Sequence, residues 1–184
     1  MKLFQFKNQN KDKEGFTIIE SLIAIVVLVF AVTGTFAAVQ SALSTSIFAK
    51  NQVTAFFLAQ EAAEYIINTR DTNILGGVNW LTGIADGSSA CDFGKFCIVD
   101  ATLNSNAFTS CSAPNPNNCP VLKQSSSGNI LYGHNSLWAD SQFKRYIQLQ
   151  SVNANEILAT ISVSWTKGVL SKTITVKESI FNWQ

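Results

Sequence analysis

The sequence predicts an α+β chain, with one long N-terminal helix packed on a small antiparallel sheet and a disulfide-containing, loop-rich region between them. Three observations predict it. No charged residue occurs from Ser21 to Ala49, and the segment that follows, to Ile67, is rich in Ala, Gln and Glu. Residues 143–183 alternate apolar and polar side chains, the period of a half-buried strand. All four cysteines fall in the intervening stretch. The 184 residues suit one ordinary domain rather than two.

The charge distribution excludes several classes. Charged residues make up 14% of the chain, against roughly 25% in soluble domains. The net charge of +1 argues against direct nucleic-acid binding, which calls for a strong basic excess. The single histidine, His134, rules out a multi-histidine metal site. The excess charge lies at the front, where Lys2, Lys7, Lys11 and Lys13 outweigh Asp12 and Glu14 within residues 1–15. A basic tip leading into apolar sequence is how a membrane-directed segment begins.

The run Leu22-Ile23-Ala24-Ile25-Val26-Val27-Leu28-Val29-Phe30-Ala31-Val32 is almost wholly aliphatic, and apolar character continues through Phe36-Ala37-Ala38-Val39. Crossing the hydrocarbon takes about 20 apolar residues, so a span over about residues 19–40 is expected. The preceding lysines place it as a single pass through the cytoplasmic (inner) membrane with the C-terminal head outside. A secretory signal peptide would have an apolar core of only about 7–15 residues, although Ala38-Val39-Gln40-Ser41-Ala42 imitates a cleavage site. A plain signal anchor fits the length but leaves Glu20 unexplained. An acid well inside a bilayer costs roughly 2.5–3.5 kcal/mol, and less near the interface. The simplest structural account of Glu20 is attraction to the positive end of its own helix.

The neighbours of Glu20 sharpen this. The string Lys13-Glu14-Gly15-Phe16-Thr17-Ile18-Ile19-Glu20-Ser21-Leu22-Ile23-Ala24 resembles the processing site of type IV prepilins and type II secretion pseudopilins. In that family a short basic leader ends in Gly, the mature chain begins with Phe or Met, and a Glu stands fifth, ahead of a long apolar helix. The resemblance implies that residues 1–15 are a leader removed by a prepilin peptidase, that Gly15 and Phe16 flank the cut, and that Phe16 is then N-methylated. It implies that Glu20 guides assembly. The chemistry can be reasoned from the residues. Gly15 permits unwinding and close approach of a protease. The cut exposes a cationic amine on Phe16, which Glu20 of its own helix or of a neighbouring subunit neutralises. An unpaired buried charge is costly, so that pairing would fix register between subunits.

Lys50 to Ile67 contains no Pro or Gly, and Val53, Phe56, Phe57, Ala63 and Ile67 fall near one helical stripe. A single helix over residues 16–70 is expected, with Glu61, Glu64 and Lys50 facing water; its core from Phe16 to Asn68 would run roughly 80 Å. Gly34, between two threonines, is its weakest point. The globular head is then 71–184. Gly76-Gly77 mark a break, and residues 74–142 read as loops anchored by Trp80, Leu81, Phe93, Phe96, Phe108, Leu137, Trp138 and Phe143. Four cysteines in an exported segment imply two disulfides. Cys91, Cys97, Cys111 and Cys119 allow three pairings, among which Cys91–Cys97 and Cys111–Cys119 close the shortest loops. A four-cysteine zinc site lacks the paired spacing, and exported cysteines tend to be oxidised, which disfavours a Cys–His134 catalytic pair. Strands are expected at Phe143–Val152, around Ile157–Trp165 and, after a Lys167-Gly168 turn, along Leu170, Ile174, Val176 and Ile180. The amphipathic half of the helix would cover them.

The resemblance is specific over residues 16–40, architectural over 41–70 and 143–184, and absent over 74–142. Trp165-Thr166-Lys167-Gly168 and the terminal Asn182-Trp183 resemble minor-pilin chains. The family implies a structural subunit of a type IV pilus or pseudopilus (an extracellular filament), with sister pilins, the prepilin peptidase and the membrane assembly platform as partners, and no cofactor. The residues alone also fit an uncleaved membrane-anchored extracellular binding module. An enzyme is not expected: no paired acids, phosphate-cradling loop or nucleophile elbow is present.

Overall fold

A computed structural model describes residues 15–103, 107–112, 115–126, 128, 130–167 and 170–183. The expected leader falls almost wholly outside these residues, as does Gly168 of the expected turn. The chain forms two compact units, which divide between Ile47 and Phe48.

The described part of the first unit is the front of helix α1 (Ile18–Leu75). Its most apolar 18-residue window has a mean hydropathy of 2.7 and none of it is buried, so the helix is long and apolar enough to cross a membrane. The two threonine hydroxyls beside Gly34 are satisfied within the helix. Thr33 Oγ1 donates to the Val29 carbonyl at 2.8 Å and Thr35 Oγ1 to the Val32 carbonyl at 2.8 Å. The helix continues unbroken through Gly34.

In the second unit α1 ends later than the expected residue 70. Gly77 takes φ 69°, its N–H donates to the Ile74 carbonyl at 3.0 Å, and the Val78 N–H donates to the Asn73 carbonyl at 3.0 Å. This pair of bonds is the Schellman arrangement, so the first glycine able to adopt a left-handed turn sets the end. Asn73 Nδ2 then ties the turn down by donating to the Thr82 carbonyl at 2.8 Å.

The buried face of α1 differs from the expected stripe. Asn51, Ala55, Leu58, Ala59, Ala62, Ala63 and Ile66 are buried, whereas Val53, Phe56 and Phe57 are 54%, 53% and 61% exposed. Of the expected set, only Ala63 is buried and Ile67 partly so. Small alanines let the helix backbone approach the sheet, where bulky aromatics would hold it away. Size outweighed hydrophobicity in choosing the face.

The main sheet has five antiparallel strands. β1 (Phe96–Val99) and β2 (Phe108–Ser110) come first in sequence. Three two-residue strands, β3 (Lys123–Gln124), β4 (Tyr132–Gly133) and β5 (Ala139–Asp140), form a small sheet in the order β4-β3-β5. β6 (Phe143–Asn153), β7 (Glu156–Lys167) and β8 (Leu170–Phe181) complete the main sheet in the order β2-β1-β6-β7-β8. The three long strands lie where the alternation placed them, and Ile147, Ile161 and Val176 are in register across them. Residues 74–142 are not merely loops, since β1 and β2 extend the sheet beside β6. Those strands are too short for alternation to reveal. Trp80 and Phe143 are buried, but Phe93 is 42% and Leu137 91% exposed and neither anchors the region.

Cys91 bonds Cys97 and Cys111 bonds Cys119. The first bridge joins the loop before β1 to β1 itself. The second fixes the 3-10 turn Pro116–Asn118 beside the end of β2.

Arg145 on β6 is the largest fully buried side chain. Its Nη1 donates to the Leu58 carbonyl at 2.7 Å and to Glu61 Oε2 at 2.5 Å, and its Nη2 donates to the Val99 carbonyl at 2.8 Å. One guanidinium therefore links α1, β6 and β1. Glu61, expected to face water, keeps 40% of its side chain exposed while pairing inward.

Two outcomes are expected in chemical denaturation. Arg145→Ala leaves a cavity at a fully buried site and takes the buried cation from Glu61, and should cost about 3–5 kcal/mol, whereas Arg145→Met should cost clearly less because it restores volume without charge. Replacing Cys111 and Cys119 together by Ser should cost about 2–3 kcal/mol, the loop-closure value for a short loop.

Candidate functional site

The sequence singles out Gly15, Phe16 and Glu20. Gly15 is exposed and a Cβ placed on it would meet nothing within 4 Å. Phe16 is 79% exposed. Helix α1 starts just after them because Thr17 caps it. The Thr17 Oγ1 accepts the Glu20 N–H at 3.3 Å and the Thr17 carbonyl accepts the Ser21 N–H at 3.1 Å. Thr17-Ile18-Ile19-Glu20 is thus a capping pattern, with Glu20 at the third helical position. Gly15 and Phe16 lie in non-helical backbone ahead of the cap, where a peptidase needs an extended chain. The Glu20 carboxylate is exposed and has no ion-pair partner among the described residues.

The sequence signal for this cap is Thr17 and Glu20 spaced three apart. Glu20 therefore has two things within reach of its chemistry. It sits at the positive end of its own helix, and it stands four residues along the chain from the amine that a cut after Gly15 would create.

A second polar cluster, in the head, was not singled out. Asp100, just after β1, accepts the Thr102 N–H at 3.0 Å, the Thr102 hydroxyl at 2.6 Å and the His134 N–H at 2.7 Å. A Cβ on Gly133 would come within 2.8 Å of Asp100 Oδ1, so only glycine permits this approach. Tyr65 of α1 donates its hydroxyl to the Leu103 carbonyl at 3.1 Å and sets its ring against Phe108. Burial alone would raise the Asp100 carboxyl, but the bonds from Thr102 and the His134 N–H outweigh it and hold the group below its ordinary range. Burial pushes the His134 imidazole down, helped by Arg145 and Lys123 and opposed by Asp100. These contacts pin the 100–103 and 132–134 segments together. They bring no nucleophile against a base, and among the described residues no group of three His, Cys, Asp or Glu is placed to hold a metal ion.

On the flank of α1 away from its buried face, two open grooves lie either side of Phe57. One, of about 490 Å³, runs past Gln60, Glu64 and Tyr65, and the other, of about 350 Å³, runs past Thr54, Ile130 and Leu131; Phe57 and Glu61 line both. The four cysteines are all committed to the two disulfides and carry no free thiol.

No family model, no curated protein and no solved structure matches this chain.

The depressed His134 gives a pH dependence of known sign. The unfolded imidazole takes up its proton near the ordinary value of 6.5, while the folded one resists it. Stability is therefore full above that value and falls as pH drops through it toward the lower folded value. The depressed Asp100 contributes stability present above its ordinary value of 3.8 and lost in stronger acid. Denaturation midpoints should fall between pH 7 and pH 5, and His134→Gln should flatten that segment of the profile.

Proposed function

We propose that this chain is a structural subunit of a type IV pilus or related pseudopilus, of the minor-pilin kind. It enters the cytoplasmic membrane as a single pass with its head outside, is cut after Gly15 by a prepilin peptidase, and is assembled through its apolar helix by a membrane platform. The new Phe16 amine is neutralised by Glu20 of an adjacent subunit. The observation that carries this reading is the coincidence at one place of Gly15, Phe16 and Glu20 with the start of an exposed apolar run that has no charge from Ser21 to Ala49.

The physical support is direct. Sixteen large apolar side chains between Phe16 and Ile47 stand exposed. Burying each is worth about 1.5–3 kcal/mol, so the segment is stable in lipid or against other apolar helices and not in water. A simple anchor needs only the first of these. Glu20 fits the second, because a carboxylate at the edge of the apolar run is costly alone and useful once an ammonium joins it. The head supplies the surface that a filament displays, and its disulfides suit the oxidising space outside the membrane.

Intact-mass and N-terminal analysis of the protein recovered from sheared surface filaments should give a chain that begins at Phe16 and carries one added methyl group. Retention of Met1–Gly15 on a protein confined to the membrane fraction would favour the uncleaved binding module instead.

A further inference from the structure

We propose that β8 pairs antiparallel, edge to edge, with β8 of a second copy of this chain, about a two-fold centred on Thr175. This does not rest on the filament reading, because a two-fold pair closes on itself and builds no filament.

β8 is the last strand of the main sheet, and its far side has no neighbouring strand among the described residues. One bond at its end fixes which backbone groups face out. The Asn182 N–H donates to the Asn155 carbonyl at 3.0 Å, and Phe181 stands opposite Glu156. Hydrogen-bonded and non-hydrogen-bonded pairs alternate along an antiparallel ladder. The even-numbered residues from Lys172 to Ile180 therefore turn their N–H and C=O groups toward β7, and the odd-numbered residues from Ser171 to Ser179 turn theirs outward. The Phe181 carbonyl has the same outward parity and is already taken, by Arg70 Nη1 at 2.7 Å. The outward backbone groups of Ser171, Thr173, Thr175, Lys177 and Ser179 have no hydrogen-bond partner among the described residues. A long row of unused donors and acceptors is a template for another strand.

The order of side chains singles out β8 itself as that strand. With Thr175 opposite Thr175, Lys172 stands opposite Glu178, Ile174 opposite Val176, Thr173 opposite Lys177 and Ser171 opposite Ser179. Odd-numbered residues then meet odd-numbered ones, as the outward hydrogen bonds demand. By symmetry the ion pair and the apolar pair each occur twice. Lys172, Lys177 and Glu178 have no ion-pair partner among the described residues, so pairing the strands breaks no existing bridge. Ile174 and Val176 pack against the core but are only partly buried, and their counterparts in the other copy extend that cover across the joint. Lysines on an edge strand ordinarily repel a second strand. In this register no like charges stand opposite each other. Sliding it by two residues sets Lys172 against Val176 or Ile180 and loses the ion pair, so the pattern selects one alignment.

The test uses the full-length chain in its native membrane. All four native cysteines are held in disulfides, so an introduced cysteine is the one free thiol. Oxidation of Thr175→Cys should give a disulfide-linked dimer, since the two opposed Cα atoms lie about 5.5 Å apart. Thr173→Cys and Lys177→Cys, each alone, should give at least about fivefold less, because each stands roughly 13 Å from its own counterpart. The two expressed together should give the mixed dimer. Within the Thr175→Cys chain, Lys172→Glu or Glu178→Lys should lower the dimer yield about fivefold or more by setting like charges opposite, and both together should restore at least about half of it. Protease resistance of the head checks folding, and the double reversal stays informative if one single reversal folds poorly. Cross-linking centred on residue 175, with rescue by the double reversal, supports the proposal. A Thr175→Cys chain that stays monomeric overturns it. Equal yields at 173, 175 and 177 indicate random collision and also overturn it, as do charge reversals without effect.

Discussion

An apolar helical run with no charge over nearly thirty residues imposes a requirement that no other described part of the chain meets. Among the described residues from Gly15 to Ile47 none is buried, so the protein supplies no cover of its own. Hydrocarbon or the same helix from other copies can supply it. In the proposed cycle they do so in turn, with lipid holding the subunit before assembly and sister helices holding it after. Transfer between the two costs little, because one apolar surround replaces another. What distinguishes the assembled state is polar, namely a carboxylate and an amine that fit poorly in lipid and well against each other. Thr17 contributes by capping the helix at the point where the amine would appear, so that Phe16 stays outside the hydrogen-bonded ladder.

The head solves a different problem. Its core is the alanine-rich face of α1 laid on a five-stranded sheet, and alanine gives close approach at the expense of buried area. Two features offset that thinness. The disulfides restrict the unfolded state of the poorly patterned 91–119 segment. Arg145 donates to backbone carbonyls on both α1 and β1 and so ties the helix to the sheet. Removing one partner of such a link is far more damaging than replacing the whole of it by apolar volume.

The sequence exposed the parts of this structure that repeat and concealed the parts that depend on distant partners. The long helix and the three strands of residues 143–183 were readable, because 3.6-residue and two-residue periods persist over many positions. β1 and β2 were not, since four and three residues carry no period and the place of β1 beside β6 depends on pairing across some fifty positions. The buried face of α1 was misread because Phe56 and Phe57 look more core-like than Ala55 and Ala59, and only the sheet's proximity reverses that order. Arg145 alternates correctly with Phe143 and Ile147, but a charged residue at an inward position reads as a flaw until Leu58, Val99 and Glu61 surround it. At the candidate site, Gly15, Phe16 and Glu20 stand in a sequence register, to which the structure adds the Thr17 cap. The Asp100–His134 cluster joins residues 34 positions apart and left no local pattern.

The central claim is that Glu20 acts between subunits rather than within its own helix. Replacing it with Ala and counting surface filaments, while tracking how much of the chain sits in the membrane, tests this directly. The account predicts near-complete loss of filaments with membrane insertion unchanged. Filaments of normal number and order from the Glu20→Ala chain would contradict it and leave a membrane-tethered head.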